Sequence, residues 1–382
     1  MGKNNTVELD KMIDKAYIEC AQCKSDIDRF VYADYLTQLH TLRSNILGKR
    51  ENVKWKKILG SKKTIIKYDK FMNGLQQRGV LDYLRNKGFH EEYFGEMLDI
   101  ENDLLEELFS MQVQEFSTIS KEEFFEYIFE FLKTYKLENL FDKIMKNRRL
   151  FLSPAYYDSS YSGECIYNPL TRDSGINLCS FRPNLFYMSV LAHEFGHVFD
   201  LENFDYPNQG LSYLKYVYET ANDEILSILF QKLFLDFICE KRYLGDDIKS
   251  LELGELFEGK SRIIDAYLLS LLNEQTIIRG PKNFSDKALL KQVSPYFDFE
   301  DVLLADLRDS DLDPFDSQKY AYGEILGTIL KEPVKSEGFN TPLIKEVLER
   351  RTKQFNPDFI SANAAVETYQ KILVKDIERI KK

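Results

Sequence analysis

The chain has 382 residues, of which 44% are hydrophobic and 30% are charged, as is usual for a folded globular protein. Its formal net charge of −11 argues against nucleic acid or an anionic membrane surface as the main partner. No run of about 18 apolar residues occurs, so the sequence predicts no membrane-spanning helix, and its length suggests about two or three domains.

Five cysteines are an odd number, and the amino terminus carries no apolar signal segment. We therefore expect reduced thiols and a cytoplasmic protein. Cys20 and Cys23 have the spacing of redox and metal motifs, but no second such pair and no histidine pair lies near them to complete a zinc site. The pattern favours two semi-buried thiols one helical turn apart.

Apolar side chains recur every three or four residues along most of the chain, which predicts amphipathic helices. The clearest helical segments are 101–116, 121–145, 211–242 and 356–382. Residues 153–181 differ, because they are rich in Ser, Gly, Pro and Tyr and contain two short alternating runs, which predict a β-hairpin or small sheet. We place a boundary near residue 150, between a helical N-terminal lobe (1–150) and a second region (151–382).

Residues 184–204 are predicted to form a helix with one buried side, and they contain the run His193-Glu194-Phe195-Gly196-His197. Positions i and i+4 of a helix share a face, so His193 and His197 can each give one ring nitrogen to a single zinc ion at about 2.0–2.1 Å. Glu194 beside them is suited to accept a proton from the water that zinc activates. The run therefore predicts a catalytic zinc site, with one ion per chain, rather than two buried structural histidines.

A catalytic zinc ion needs a third protein ligand and an open fourth position. The extended pattern HExxHxxGxxH is excluded, because Asp200 and Asn203 occupy its glycine and histidine positions. Glu219, on the next strong helix, is the predicted third ligand. Asp223, one turn further on, could accept a hydrogen bond from the outer nitrogen of a histidine ligand. Glu224 is the rival ligand, on a different face of that helix.

With these residues in place, the chain resembles the thimet oligopeptidase and oligoendopeptidase F family of zinc peptidases, most closely its oligoendopeptidase F branch. The family pattern TLxHExGHxxH is similar to LAHEFGHVFD, its AExxSxxxE helix is similar to YETANDEILS, and its YxYKYAxG motif is similar to DSQKYAYGEILG. The closing helices of the family are similar to residues 339–373. The resemblance covers about residues 150–382 and carries the zinc-ligand role over to Glu219.

The resemblance implies a mainly α-helical fold of the gluzincin kind, an elongated bowl with a deep channel and a small antiparallel sheet beside the HExxH helix. It makes 151–382 the catalytic region. It also implies that Tyr320 donates a hydrogen bond to the oxyanion of the tetrahedral intermediate. Tyr322 and the tyrosines of 156–161 are the alternatives for this donor. A peptide substrate would lie extended along an edge strand near 176–181.

The predicted function is that of a zinc-dependent endopeptidase for short, unstructured peptides. Some features depart from the family: Asp316 and Gln318 replace two tyrosines, no histidine precedes the tyrosine motif, and the chain is short. These departures suit an alternative, a maturation protease that cuts one leader or signal peptide. A second alternative is a peptide-binding zinc protein without turnover, against which the intact Glu194 weighs. The sequence does not predict an oligomeric state.

Overall fold

The computed structural model describes residues 2–48, 55–67, 116–153, 162–168, 173–203, 224–241, 245, 247–259, 262, 314–350 and 362–380. These residues form a mainly α-helical fold with one small sheet of three strands. Within these ranges no helix is both long and apolar enough to cross a membrane. The predicted helical class, with a small sheet against the histidine-bearing helix, is confirmed.

The chain begins with the helices α1 (Gly2–Gln22), α2 (Asp26–Leu47) and α3 (Trp55–Leu59). Ser25 caps α2, since its hydroxyl accepts a hydrogen bond from the Asp28 amide at 3.0 Å, and Gly48 ends the helix with a φ of 61°. The two long helices pack on each other. Their apolar cluster includes Phe151 and Ile166, so the N-terminal helices share a core with the sheet across the boundary predicted near residue 150.

The two cysteines of the CxxC pair lie at the carboxyl end of α1, and both are free thiols. Burial raises the pKa of Cys20 and of Cys23 to about 11. The negative end of a helix dipole also disfavours a thiolate, whereas reactive CxxC pairs have lowered pKa values. Cys20 is buried and Cys23 is half-buried, so the semi-buried state that the sequence favours is found for Cys23, while Cys20 lies deeper.

The sheet consists of β1 (Leu150–Ser153), β2 (Gly163–Asn168) and β3 (Asp173–Cys179), in the order β1-β3-β2. β2 and β3 pair antiparallel, with Gly163 opposite Leu178, as expected for a hairpin. β1 and β3 pair parallel, with Leu150 opposite Ile176. The prediction of an antiparallel sheet is wrong for β1. The hairpin partner β2 pairs with one edge of β3, and β1 pairs with the other edge. There β1 runs in the same direction as β3, so this pair is parallel.

The other helices are α4 (Lys121–Thr134), α5 (Glu138–Lys146), α6 (Leu185–Asn203), α7 (Ile225–Lys241), α8 (Pro314–Glu337), α9 (Pro342–Arg350) and α10 (Ala362–Ile380). Residues 247–259 are helical as well. α6 and α7 are buried around most of their circumference, which is why their sequences are apolar on almost every side. With α4, α8 and α10 they form the larger apolar core.

β3 is the central strand of the sheet, so both of its edges are already paired. The peptide-binding edge that the sequence places near residues 176–181 is therefore wrong, because these residues include the end of β3. Sequence alternation identifies a strand but not its neighbours. Of the two edge strands, β2 is the one that packs against α6.

Two glycines allow the backbones of α6, α7 and α8 to approach each other closely. A Cβ atom at Gly196 would lie 2.4 Å from Ser227 Cα, and one at Gly323 would lie 2.6 Å from the carbonyl oxygen of Glu224. Both opposing atoms belong to the backbone, so no side-chain rotation could relieve the overlap. These contacts set the histidine-bearing helix and α8 directly against the beginning of α7.

We expect Gly196→Ala to lower the free energy of unfolding by at least about 1–3 kcal/mol, because the added methyl group must push α6 away from α7. The urea midpoint at unchanged slope measures the loss. Gly254→Ala is the matched control, since Gly254 is also helical and a Cβ atom there meets nothing within 4 Å. That variant should be neutral or more stable by up to about 1 kcal/mol. Equal losses in the two variants would contradict the close helix contact.

Candidate metal centre

His193 and His197 lie one turn apart on α6, and both side chains are mostly buried. Their Nε2 atoms are 3.2 Å apart. The helix is held between the sheet on one side and α7 on the other, which fixes the direction of both rings. The two imidazoles therefore turn the same nitrogen toward a common point, consistent with their i, i+4 spacing.

Glu224, the residue just before α7, completes a triangle with the two imidazoles. Its Oε2 lies 3.3 Å from His193 Nε2 and 3.4 Å from His197 Nε2. Ligands at about 2.0–2.1 Å from a tetrahedral zinc ion lie about 3.3–3.4 Å from one another. The three edges of 3.2, 3.3 and 3.4 Å match that spacing. Within the described ranges, this is the group of His, Cys, Asp and Glu side chains that could bind a metal ion.

Gln231 on α7 orients His193 from the opposite side of the ring. Its Oε1 lies 3.2 Å from His193 Nδ1, and because an amide oxygen only accepts, Nδ1 carries the proton and donates. The lone pair of His193 Nε2 then faces Glu224 Oε2, which is another acceptor. Two acceptors at 3.3 Å repel unless a cation lies between them, so these residues fit a metal ion.

Glu219 and Asp223, the predicted third ligand and its supporting carboxylate, lie outside the described residues and remain predictions. The described residue beside the histidines is Glu224, the rival ligand. A signal in its favour was present in the sequence. The family pattern places a serine three residues after the ligand, and Ser227 follows Glu224 at that spacing, whereas no serine follows Glu219 in the same way.

The Glu224 carboxylate is held from two sides. Ser227 Oγ donates a hydrogen bond to Oε2 at 2.8 Å, and Lys319 Nζ lies 3.8 Å from Oε1. Burial alone would raise the pKa of Glu224, but the neighbouring His197 and the Lys319 ammonium outweigh it and hold the pKa well below its usual range. Glu224 is therefore an anion, the form in which a carboxyl group binds a metal ion.

Glu194 is buried against the strand β2. A Cβ atom at Gly163 would lie 2.6 Å from Glu194 Oε1, so the absence of a side chain there leaves space for the carboxyl group. Among the described residues, its Oε2 has no hydrogen-bond partner. Burial, opposed by His193 and reinforced by Glu224 and Glu164, raises the pKa of Glu194 to about 8. The carboxyl group can thus take up and release a proton near neutral pH.

Tyr320 lies in the first half of α8, next to Lys319. The Lys319 ammonium is 5.4 Å from the centre of the Tyr320 ring and 3.8 Å from Glu224 Oε1. One cation therefore lies near both the candidate ligand and the Tyr320 ring, and the catalytic role of Tyr320 stays a prediction. The side chain of Tyr322 and the tyrosines of 156–161 lie outside the described part of the chain.

No family model matches the chain, and no curated protein matches it. In structure the chain is similar to a protein from Bacillus anthracis str. Ames that is provisionally named oligoendopeptidase F. The TM-score is 0.49 and the sequence identity is 13%, over 96% of this chain and 68% of that chain. A similarity of this size leaves the function to be argued from the residues of the site.

We expect Glu224→Ala to weaken zinc binding by more than about 100-fold, because loss of an outer partner of a ligand alone costs about 10–100-fold. Competition with a chromophoric chelator measures the affinity. Glu219→Ala is the matched control, with the same residue type removed five positions earlier, and it should keep full affinity. The opposite pattern, in which only Glu219→Ala loses the metal, would make Glu219 the third ligand.

Proposed function

We propose that this chain is a zinc-dependent endopeptidase that hydrolyses short, unstructured peptides. One observation carries the proposal: three ligand atoms with the spacing of a single zinc site lie beside a buried carboxyl group on the helix that supplies two of them. His193, His197 and Glu224 would hold one ion per chain. When bound, zinc would act as a Lewis acid, lowering the pKa of a water molecule to about 7 and polarising a carbonyl group.

Glu194 is the proposed general base. As the water oxygen attacks the scissile carbonyl carbon, the carboxylate takes up the proton of the water. The same proton then passes to the leaving amine, and the C–N bond breaks. A base works best when its pKa is near the working pH, and burial raises the pKa of Glu194 to about 8. The position of Glu194 next to the ligand His193 supports this assignment.

The strand β2 offers a backbone edge for an extended peptide next to Glu194. The Cys179 amide donates to the Ser162 carbonyl at 2.9 Å, and because hydrogen bonding alternates along an antiparallel pair, the backbone groups of Gly163 and Cys165 point away from β3. Within the described residues, no strand pairs with that outer edge. A peptide added there as a further strand would pass beside the base, since Gly163 abuts Glu194.

Tyr320 is the proposed donor to the oxyanion. Its ring shares the Lys319 ammonium with Glu224, so it lies on the side of the centre where α8 meets the beginning of α7. A phenol hydroxyl aimed at the developing negative charge stabilises the transition state more than the bound substrate. The role of Tyr320 therefore concerns turnover rather than peptide affinity.

We expect the natural chain to cleave a peptide library, and a chelator to abolish the cleavage. Glu194→Gln should bind zinc normally but lose turnover by about 10²–10⁴-fold or more, because an amide cannot take the proton from water. Mass spectrometry of the digests identifies the products. A glutamine variant with a near-natural rate would refute the mechanism. A zinc-loaded natural chain that binds peptides and cuts none would instead favour the binding protein without turnover.

Tyr320→Phe removes one hydroxyl group without opening a cavity. We expect kcat to fall by about 10²–10³-fold, the cost of one oxyanion donor, with little change in KM. Tyr127→Phe is the control, since the hydroxyl of this buried tyrosine on α4 donates to Glu123 of its own helix, and the variant should keep full activity. A Tyr320→Phe variant as active as the control would exclude Tyr320 as the donor.

A further inference from the structure

Behind His193 lies a network of buried polar side chains with Gln231 at its centre. Gln231 Nε2 donates to Glu255 Oε1 at 2.5 Å, and Gln231 Oε1 accepts from Arg262 Nη2 at 3.4 Å as well as from His193 Nδ1. Ser189 Oγ also donates to Glu255 Oε1, at 3.1 Å. The residues Gln231, Glu255 and Arg262 are each less than a tenth exposed. Burying charged groups costs free energy, so a role other than stability would explain why the core contains this network.

The orientation of the Gln231 amide decides which nitrogen of His193 carries the proton. With Oε1 toward the ring, Nδ1 must donate, and Nε2 keeps the lone pair that a metal ion requires. With the amide turned by half a rotation, its NH₂ group would face Nδ1. That nitrogen would then have to accept, and the proton would move to Nε2, where it would block a ligand bond. A free glutamine offers both orientations at similar cost.

Two neighbours remove the second orientation. Glu255 Oε1 accepts from the amide NH₂ and also from Ser189 Oγ, and the Arg262 guanidinium only donates, so it requires the amide oxygen. Turning the amide would set its oxygen against this acceptor oxygen and its NH₂ against the guanidinium. Burial raises the pKa of Glu255, but the conflict between two oxygens and between two donors does not depend on its charge, and unsatisfied polar groups are especially unfavourable in a site that excludes water. The two neighbours thus act on opposite ends of the same amide.

Arg262 is itself held in place from the far side. Its Nη1 donates to Glu324 Oε2 at 3.1 Å, and its Nη2 donates to Glu258 Oε1 at 2.7 Å. Glu324 lies on α8, one turn after Tyr320, and also accepts from Lys232 Nζ at 2.6 Å. Lys232 and Arg262 therefore neutralise the same acid, but only Arg262 contacts Gln231.

We propose that Gln231 is a positioning residue that holds His193 as its Nδ1–H tautomer, and that Glu255 and Arg262 lock the amide in the required orientation. The inference rests on the zinc site of the proposed function. It gives the two buried neighbours a role, because Glu255 binds the NH₂ group of the amide and Arg262 binds its oxygen. It also separates residues that orient His193 from those that only balance charge.

Zinc affinity, measured by chelator competition without any peptide, tests the proposal. We expect Gln231→Leu to weaken zinc binding by about 10–100-fold, the usual cost of losing the outer partner of a histidine ligand. The double variant Gln231→Glu/Glu255→Gln keeps an acceptor toward Nδ1 and a donor–acceptor pair at the other end, and it should stay close to the natural affinity. Arg262→Met should weaken binding, whereas Lys232→Met, which removes a cation from the same Glu324, should not. Urea unfolding of each variant shows that it is folded.

The tautomer is read from the metal-free protein in a Glu224→Ala background, which removes the carboxylate that faces His193 Nε2. The chain has four histidines, so ¹⁵N labelling of histidine gives a spectrum simple enough to assign by substitution. In this background His193 should show a protonated Nδ1, alone and with Lys232→Met, and a mixture of tautomers with Arg262→Met. If Gln231→Leu does not fold, Arg262→Met and this spectrum decide.

Unchanged affinity and tautomer in Gln231→Leu or Arg262→Met would overturn the proposal. Equal weakening by Arg262→Met and Lys232→Met would also overturn it, because the network would then be only structural. The proposed function fails separately. If the natural chain binds no zinc, the zinc site is wrong, while the ¹⁵N spectrum still tests whether Gln231 sets the tautomer of His193.

Discussion

The contact between α6 and α7 is the constraint on which the rest of the site depends. Two helices that are buried on nearly all sides come together where Gly196 leaves no side chain between them, with Ser227 Cα at 2.4 Å from where a Cβ atom would be. At this close approach, Glu224 just before α7 lies within 3.4 Å of both imidazoles. A second glycine, Gly323, brings α8 against the same point, so three helices converge where the candidate ligands meet.

Three buried acids of the core, Asp236, Glu324 and Glu194, differ in their charged partners. Asp236 is surrounded by Lys331, Lys335 and Arg379, whose charges outweigh the effect of burial and lower its pKa. Glu324 is neutralised in the same way by two cations. In the described part of the chain no Lys or Arg contacts Glu194, and burial raises its pKa to about 8. Asp236 and Glu324, which link α7 to α8, are thus held as anions, while the acid beside the histidines can exchange a proton.

Local sequence patterns have a common physical limit in this chain. Helical spacing shows which side chains share a face, but not which face meets another helix, so the sequence offers both Glu219 and Glu224 as the third ligand, and Glu219 stays a prediction outside the described residues. Strand alternation has the same limit, because it identifies β3 without showing that strands pair with both of its edges. In each case the deciding partner is distant in the sequence, and neither periodicity contains that information.

The sequence by itself determined the helical class, the small sheet, and the helix on which His193, Glu194 and His197 lie together. These features depend on spacings of two to four residues, which the backbone geometry of one element converts directly into a shared face. Only the tertiary structure decided that Glu224 closes the triangle, that β2 is the edge beside Glu194, and that Gln231 supports His193. These contacts join residues of different elements, and they arise because apolar helices pack to fill a common core, which no local pattern specifies.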